Sequence, residues 1–87
     1  MYIILVYDIE QARVNRVCKF LRRYLNWVQN SVFEGAITEA KLQEVKQGLK
    51  QRINPEIDSI YLYQLRDEKW MNKEILGVER NPTDQFI

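Results

Sequence analysis

The chain has 87 residues, 46% of them hydrophobic and 29% charged, which suits one small folded domain and argues against disorder. It contains no histidine and one cysteine, which excludes His-based catalysis, imidazole zinc sites and an internal disulfide. The net charge of +1 combines +4 over residues 1–52 with −3 over residues 53–87. A basic first half is compatible with a polyanionic partner.

The sequence also bears on the cellular compartment. Its longest apolar run, over residues 3–7, has the length of a strand and is far shorter than a membrane span. Met1 leads almost directly into this run without the basic region or cleavage site of a signal peptide. We therefore predict a cytoplasmic protein that does not enter a membrane.

The first two predicted elements differ in the spacing of their apolar residues. Residues 2–8 form a continuous β-rich run that ends at Asp8, which predicts a strand buried on both faces. Residues 11–25 then place apolar side chains at helical spacing, which predicts an amphipathic helix. One flank of this helix is basic and contains Arg13, Arg16, Lys19 and Arg23, with Arg22 beside them.

The middle of the chain returns to a strand pattern and then to a second helix. Residues 27–34 alternate with period two and predict a strand, after which Gly35 predicts a tight turn into a short strand around residues 36–37. Thr38 is a suitable N-cap for the next helix, whose apolar stripe runs to the stop at Asn54-Pro55.

The last elements complete a known arrangement. Residues 57–65 predict another strand, and residues 75–79 predict a short late strand. The order strand, helix, strand, strand, helix, strand is that of an α+β, ferredoxin-like βαββαβ domain over residues 1–87, with an additional C-terminal strand. Two helices cover one sheet face, so the apolar residues of the other face predict a homodimer, in which residues 75–79 pair with the partner's sheet.

Asp8 is the most informative candidate for a site. Aspartate is depleted in strands, so a carboxylate that closes an apolar strand is either a cap or turn residue or a functional group. A twofold axis nearby would bring two Asp8 carboxylates together, and a hard divalent ion would relieve their repulsion. Such an ion could activate water for attack on a phosphodiester.

Other candidates have simpler alternatives. The basic flank is either the solvated side of a helix or a phosphate-binding surface. Ser31 is either a hydrogen-bonding strand residue or an active-site hydroxyl. Phe33 and Trp27 are typical of a core or an interface, and less so of base stacking.

Three segments resemble the signature of a known family. They are Tyr7-Asp8-Ile9, then residues 13–17, then Gln29-Asn30-Ser31-Val32-Phe33-Glu34. This pattern is similar to that of the small CRISPR-associated endoribonucleases, the minor subunit of the spacer-acquisition complex. The resemblance covers essentially the whole chain. This sequence departs from the pattern at Trp27, where some members carry a basic residue, and in a slightly shorter loop after Asp8.

The resemblance carries functional implications. It implies a homodimer in which Asp8 binds Mg²⁺, with Mn²⁺ as an alternative, and a metal-dependent endonuclease that cleaves single-stranded RNA or DNA in antiviral defence. It also implies partnership with the larger CRISPR integrase. The positions that match residues tied to nuclease activity are Tyr7, Asp8, Arg16 and Phe33, with looser matches at Arg13 and Ser31.

Other functions stay open at the level of sequence. A dimeric adaptor that binds duplex DNA and the integrase would need no catalysis, and one dimer could combine both roles. A toxin ribonuclease of the VapD type would share the fold. An RNA-recognition module is disfavoured because its aromatic consensus is absent.

Overall fold

The computed structural model describes residues 1–81 of the chain. Four strands and two helices form an α+β fold, which confirms the predicted ferredoxin-like arrangement. A short 3₁₀ turn over Glu68–Trp70 follows the last strand. The elements in chain order are β1 (Tyr2–Asp8), α1 (Gln11–Leu21), β2 (Asn26–Gln29), β3 (Val32–Ala36), α2 (Glu39–Arg52) and β4 (Ser59–Leu65).

The sheet is built around β1. Its order is β2-β3-β1-β4, and every neighbouring pair is antiparallel. Both helices pack on one face, which we call the helix face; the opposite face is the open face. Because side chains alternate along a strand, β1 sends Ile3, Leu5 and Tyr7 to the helix face. The largest fully buried side chains lie in this core: Phe33, Ile3, Leu5, Leu21, Leu42, Val17 and Val45.

The two helices touch at a position where only glycine fits. Gly48 lies on the buried side of α2, and a Cβ built there would overlap the aromatic ring of Phe20 from α1. The guanidinium of Arg52, also from α2, lies over that ring with its Cζ 4.1 Å from the ring centroid, and the Tyr24 ring packs beside it at 5.3 Å. The ring therefore has little freedom to move aside.

We expect Gly48→Ala to destabilise the fold. Overpacking of a core contact costs about 1–3 kcal/mol, which should exceed the gain of about 1 kcal/mol in helix propensity. Chemical denaturation should show a lower free energy of unfolding, whereas Gln47→Ala, at the exposed neighbouring position, should stay within about 0.5 kcal/mol of the parent. A more stable Gly48→Ala protein would mean that the helices can separate at no cost.

The predicted boundaries need one substantial correction. The sequence pattern over residues 27–34 predicts one strand, but a turn at Asn30-Ser31 divides it, and Asn30 takes the left-handed conformation with φ of 39°. Gly35 consequently lies buried inside β3, opposite Ile3, and not in a turn. An asparagine tolerates the left-handed conformation, so the hairpin forms without a glycine.

Smaller differences occur at element ends. The first helix stops at Leu21 and continues as a turn, whereas the pattern predicts it to residue 25. The last strand begins at Ser59, after a turn in which Asp58 is buried, and not at residue 57. Residues 75–79 form no strand within the single chain that the structure describes. Their pairing with a partner's sheet concerns a second subunit and stays a prediction.

The open face is covered over part of its width by the chain itself. The segment after β4, over residues 67–81, borders a groove of about 840 Å³ against β2 and β3. Lys73 of this segment forms an ion pair with Glu34, and the Asn81 side chain donates to the Trp27 carbonyl. Tyr2 lines this groove and is buried, while Val6, Tyr61 and Tyr63 on the rest of the face are exposed.

In the part of the chain that the structure describes, neither helix is long and apolar enough to cross a membrane.

Candidate active site

Three separate parts of the chain meet at one edge of the sheet, which we call the Asp8 edge. Asp8, the last residue of β1, lies in register with Ser59, the first residue of β4. On the other side, the backbone N–H of Tyr7 donates to the Ser31 carbonyl in the β2–β3 turn at 3.0 Å. Asp8 is therefore flanked by backbone that is fixed on both sides.

The Asp8 side chain belongs to the open face. The alternation that buries Leu5 and Tyr7 among the helices places Asp8 with Ile4 and Val6 on the opposite side. Asp8 is exposed, and the ion pairs found within residues 1–81 do not involve it. Its carboxylate is consequently available to a ligand from solvent.

This carboxylate suits a hard divalent cation better than a softer metal. Mg²⁺ prefers oxygen ligands, keeps several waters and is typically held by one or two carboxylates. Within residues 1–81, no group of three or more potential metal-ligating side chains comes together. A site with three or more protein ligands would therefore need side chains from another copy of the chain.

Tyr7 lies on the helix face beneath the Asp8 edge. Its hydroxyl donates to the Asn30 carbonyl at 3.2 Å and accepts a hydrogen bond from the Cys18 thiol, also at 3.2 Å. Burial, followed by the hydrogen bond from Cys18, raises the pKa of Tyr7 to about 12. The hydroxyl is therefore protonated at neutral pH, and its contacts fix the β2–β3 turn beside Asp8.

The structure places the two other candidates of this edge differently. Phe33 is fully buried on the helix face, with its ring centroid 6.0 Å from that of Tyr7. It has no surface for contact with a substrate, so any part it has in catalysis is to support Tyr7. Ser31 is half-buried in the turn, and its carbonyl fixes the β1 backbone next to Asp8.

The predicted basic flank is divided by the structure. Arg16 and Lys19 are exposed on α1, and Arg22 and Arg23 are exposed in the turn that follows it. The Arg16 guanidinium makes one long bond, 3.4 Å, to the Gln51 carbonyl, and it stays accessible. Arg13 differs because its guanidinium is occupied within the fold. The ion pair leaves the Arg13 side chain only 24% exposed, and its assignment as a nucleic-acid ligand stays a prediction.

The partner of Arg13 is Asp58, a residue that the sequence analysis did not single out. The side chain of Asp58 is fully buried, and it accepts a two-pronged ion pair from Arg13 at 2.6 Å and 2.8 Å. Its oxygens also accept the backbone N–H groups of Glu10 at 3.0 Å and of Asn54 at 2.8 Å. The Arg13 guanidinium lowers the pKa of Asp58 far below its usual range, and the carboxylate in turn raises the pKa of Arg13.

One signal could have revealed Asp58. The run Ile57-Asp58-Ser59-Ile60 puts an aspartate inside an otherwise β-rich segment, which is unusual for the same reason as Asp8. The sequence alone does not show that its partner lies 45 residues earlier, on helix α1.

Comparison with known proteins decides the family. The model of the family described as "CRISPR associated protein Cas2" matches residues 1–73. The chain belongs to the Cas2 family. The resemblance inferred from the Tyr-Asp-Ile and Gln-x-Ser-Val-Phe-Glu motifs is thereby confirmed.

Relatives in the Cas2 family match over the whole chain. A protein of Pyrococcus furiosus named CRISPR-associated endoribonuclease Cas2 is 51% identical over 87 residues, which cover 100% of both chains. One of the same name from Methanocaldococcus jannaschii is 47% identical over 87 residues, 100% of this chain and 76% of the relative.

Solved Cas2 structures share the fold. A crystal structure described as that of Cas2 superposes with a TM-score of 0.85 at 41% identity, covering 94% of this chain and 92% of the other. The Streptococcus pyogenes Cas2 structure at pH 6.5 gives a TM-score of 0.77 at 33% identity, covering 88% of this chain and all of the other.

Proposed function

We propose that this Cas2 protein is a homodimeric, Mg²⁺-dependent endonuclease that hydrolyses phosphodiester bonds in single-stranded RNA or in DNA. The observation that carries this proposal is the exposed carboxylate of Asp8, which makes no ion pair within residues 1–81 and lies at an edge of the sheet held by backbone pairing. The names of the relatives, which are CRISPR-associated endoribonucleases, support the same reaction class.

The residues of the Asp8 edge would have different roles in such a site. Asp8 would hold the divalent cation, which when bound supplies positive charge to neutralise a phosphate and to activate water. Tyr7 and Ser31 keep the β1 end and the β2–β3 turn in place through their hydrogen bonds. No histidine is available as a general base, so the charge of Asp8 is the main resource for this chemistry.

A dimer through the open face would complete the site. Val6, Tyr61 and Tyr63 form an exposed apolar surface beside Asp8, and neither helix of the chain reaches it. A second copy related by a twofold axis would bury this surface against its own equivalent and bring a second carboxylate toward the axis. The likeness to solved Cas2 structures is consistent with this assembly.

Nucleic acid would approach along α1. Arg16 and Lys19 lie on α1, which begins three residues after Asp8, and Arg23 lies in the turn that follows this helix; all three cations are exposed. Guanidinium groups match the geometry of phosphate, so this flank can bind a backbone without reading its sequence.

We expect the double variant Arg16→Ala/Lys19→Ala to weaken nucleic-acid binding and to reduce its salt dependence. Each phosphate contact that is lost lowers the slope of log K against log[salt] by about 0.9, so the slope should fall by roughly 2. Fluorescence anisotropy at several salt concentrations measures both quantities. Lys46→Ala/Lys50→Ala on α2 is the matched control. A larger effect of this control would mean that the binding surface lies on α2, which would contradict its assignment to α1.

We extend the proposal to membership of a spacer-acquisition complex with the CRISPR integrase. Leu76 and Val78, in the segment after β4, are 92% and 72% exposed, which favours a protein partner for this segment. Co-purification with the integrase, and its loss in Leu76→Glu/Val78→Glu, would test this part separately from cleavage.

A second candidate function is a non-catalytic adaptor that binds duplex DNA. It is favoured by the basic surface of α1 together with the absence, within residues 1–81, of a complete metal-ligand cluster in one subunit. Cleavage assays on labelled single-stranded RNA and duplex DNA, with parent protein and Asp8→Asn in the same Mg²⁺ buffer, separate the two. Equal rates for the two proteins would assign cleavage to another source and leave the adaptor function.

A further inference from the structure

We propose that Asp58 is a positioning residue for Asp8, which acts by clamping the loop between β1 and α1. This inference rests on the proposed role of Asp8 in binding a divalent cation. The clamp consists of the Asp58 carboxylate and its three partners, namely Arg13, Glu10 and Asn54.

The clamp fixes two backbone segments next to Asp8, namely the loop that follows it and the start of β4 beside it. Glu10, whose N–H donates to Asp58, follows Asp8 by two residues. Ser59, the residue after Asp58, is the strand partner of Asp8. Asp58 therefore fixes the loop that leaves Asp8 and directly precedes the strand that pairs with it, so a shift of Asp58 would be transmitted to the Asp8 carboxylate from two directions.

The clamp also replaces a helix cap that α1 lacks. Glu10 occupies the N-cap position and makes no side-chain capping bond. In a capping box, the third helical residue reaches back to the N–H of the N-cap residue. Here the third residue is Arg13, and it holds Asp58 in place to accept that N–H. The start of α1, three residues after Asp8, is thus set by a residue from another loop.

The Asp58 oxygens accept four hydrogen bonds, so replacing one oxygen by nitrogen should disturb the clamp. A carboxylate has about four acceptor sites. One Asp58 oxygen accepts from Glu10 and Arg13, and the other accepts from Arg13 and Asn54. In Asp58→Asn, the amide nitrogen faces two donors in either orientation, so two of these bonds are lost whichever way the side chain turns.

The expected effect of Asp58→Asn is on the cation site. Loss of a partner that orients a metal ligand typically costs 10–100-fold in affinity or activity, and because Asp58 acts through the backbone we expect about 10-fold in Mn²⁺ affinity. The rate constant kcat should fall, while KM for the nucleic acid should stay near the parental value, because Arg16 and Lys19 are unaffected. Arg13→Lys, which keeps the charge but loses the two-pronged pairing, should give a smaller loss.

The test measures Mn²⁺ affinity by titrating the intact protein and detecting free and bound Mn²⁺ by electron paramagnetic resonance. Steady-state cleavage assays give kcat and KM for the same proteins. Thr38→Ala is the matched control for stability. Thr38 caps α2 by accepting the Lys41 N–H at 3.2 Å, and its loss should weaken the fold without changing Mn²⁺ affinity. Asp8→Asn is the control for the site itself and should abolish Mn²⁺ binding.

The outcomes separate the two proposals. If Asp8→Asn abolishes binding while Asp58→Asn and the parent bind Mn²⁺ equally, the clamp has no positioning role and only the inference about Asp58 fails. If Thr38→Ala loses as much affinity as Asp58→Asn, the effect is one of general stability, and the inference fails as well. If Asp8→Asn binds Mn²⁺ and cleaves like the parent, the proposed function fails, and the role of Asp58 fails with it.

Discussion

Replacing Tyr63 by glutamate is expected to raise the dissociation constant of the homodimer by at least about 100-fold. Tyr63 is 54% exposed in the single chain and lies opposite Ile4 on the open face. A twofold interface would bury two new carboxylates at once, and the desolvation of each costs several kcal/mol. Every 1.4 kcal/mol is a factor of ten in affinity, so a 100-fold loss is a conservative expectation. Sedimentation velocity over a range of concentrations measures it.

Ile57 offers a matched control for this experiment. It is 55% exposed, nearly the same as Tyr63, but it lies in the turn before β4 and outside the open face. Ile57→Glu adds the same charge to a similarly exposed apolar residue, and it should leave the dimer intact. A parent protein that sediments as a monomer at micromolar concentration, or equal effects of the two variants, would contradict dimerisation through the open face.

Asp8→Asn is expected to abolish cleavage, with a loss of at least about 100-fold in kcat. Asparagine keeps the size and most of the hydrogen bonding of the side chain but removes the charge that attracts a cation. A divalent ion contributes several kcal/mol of charge stabilisation, and each 1.36 kcal/mol is a factor of ten in rate. Because Asp8 is exposed and makes no ion pair within residues 1–81, the variant should fold, dimerise and bind duplex DNA like the parent.

Two controls accompany the Asp8 variant. Chelation of divalent ions by EDTA should reproduce the loss in the parent protein, and added Mg²⁺ should restore cleavage. Glu44→Gln removes an equal charge from the exposed side of α2 and should cleave at the parental rate. Cleavage by Asp8→Asn at the rate of the parent would contradict a catalytic role for Asp8.

Much of the fold could be predicted from the sequence because its strong patterns are local. The apolar run of residues 2–8 and the helical stripes of α1 and α2 each carry enough periodicity to define an element and its buried side. The exposure of Tyr61 and Tyr63 also follows from the pattern, since two helices cover only one face of four strands.

The hairpin could not be placed correctly for a physical reason. Period two continues without interruption from Trp27 to Glu34, so the pattern gives no sign of a break. At the turn, the Asn30 carbonyl accepts from the Trp27 indole within the hairpin and from the Tyr7 hydroxyl of β1, and the second contact joins parts of the chain 23 residues apart. Gly35 does not mark a turn, because it lies buried inside β3 next to Leu25.

The position of Asp8 at the end of a strand could be predicted from the sequence, and the contacts that support it could not. Asp8 stands out because a charge ends an apolar strand, and the structure places it on the open face. Helical spacing groups Arg13 with the exposed cations of α1. It cannot show that a buried carboxylate, that of Asp58, lies beside the helix and pairs with Arg13. Long-range ion pairs of this kind leave only a weak trace, such as an aspartate in a β-rich run.

The pairing of two Asp8 carboxylates at one cation is tested most directly with mixed dimers. Parent and Asp8→Asn chains would be combined in known proportions, denatured and refolded together so that subunits associate at random, and assayed for cleavage in saturating Mg²⁺. If both carboxylates are required, the rate should follow the square of the parental fraction, because only dimers with two Asp8 residues cleave. A rate that falls in direct proportion to the parental fraction would show that each subunit acts alone, and it would contradict a site shared across the open face.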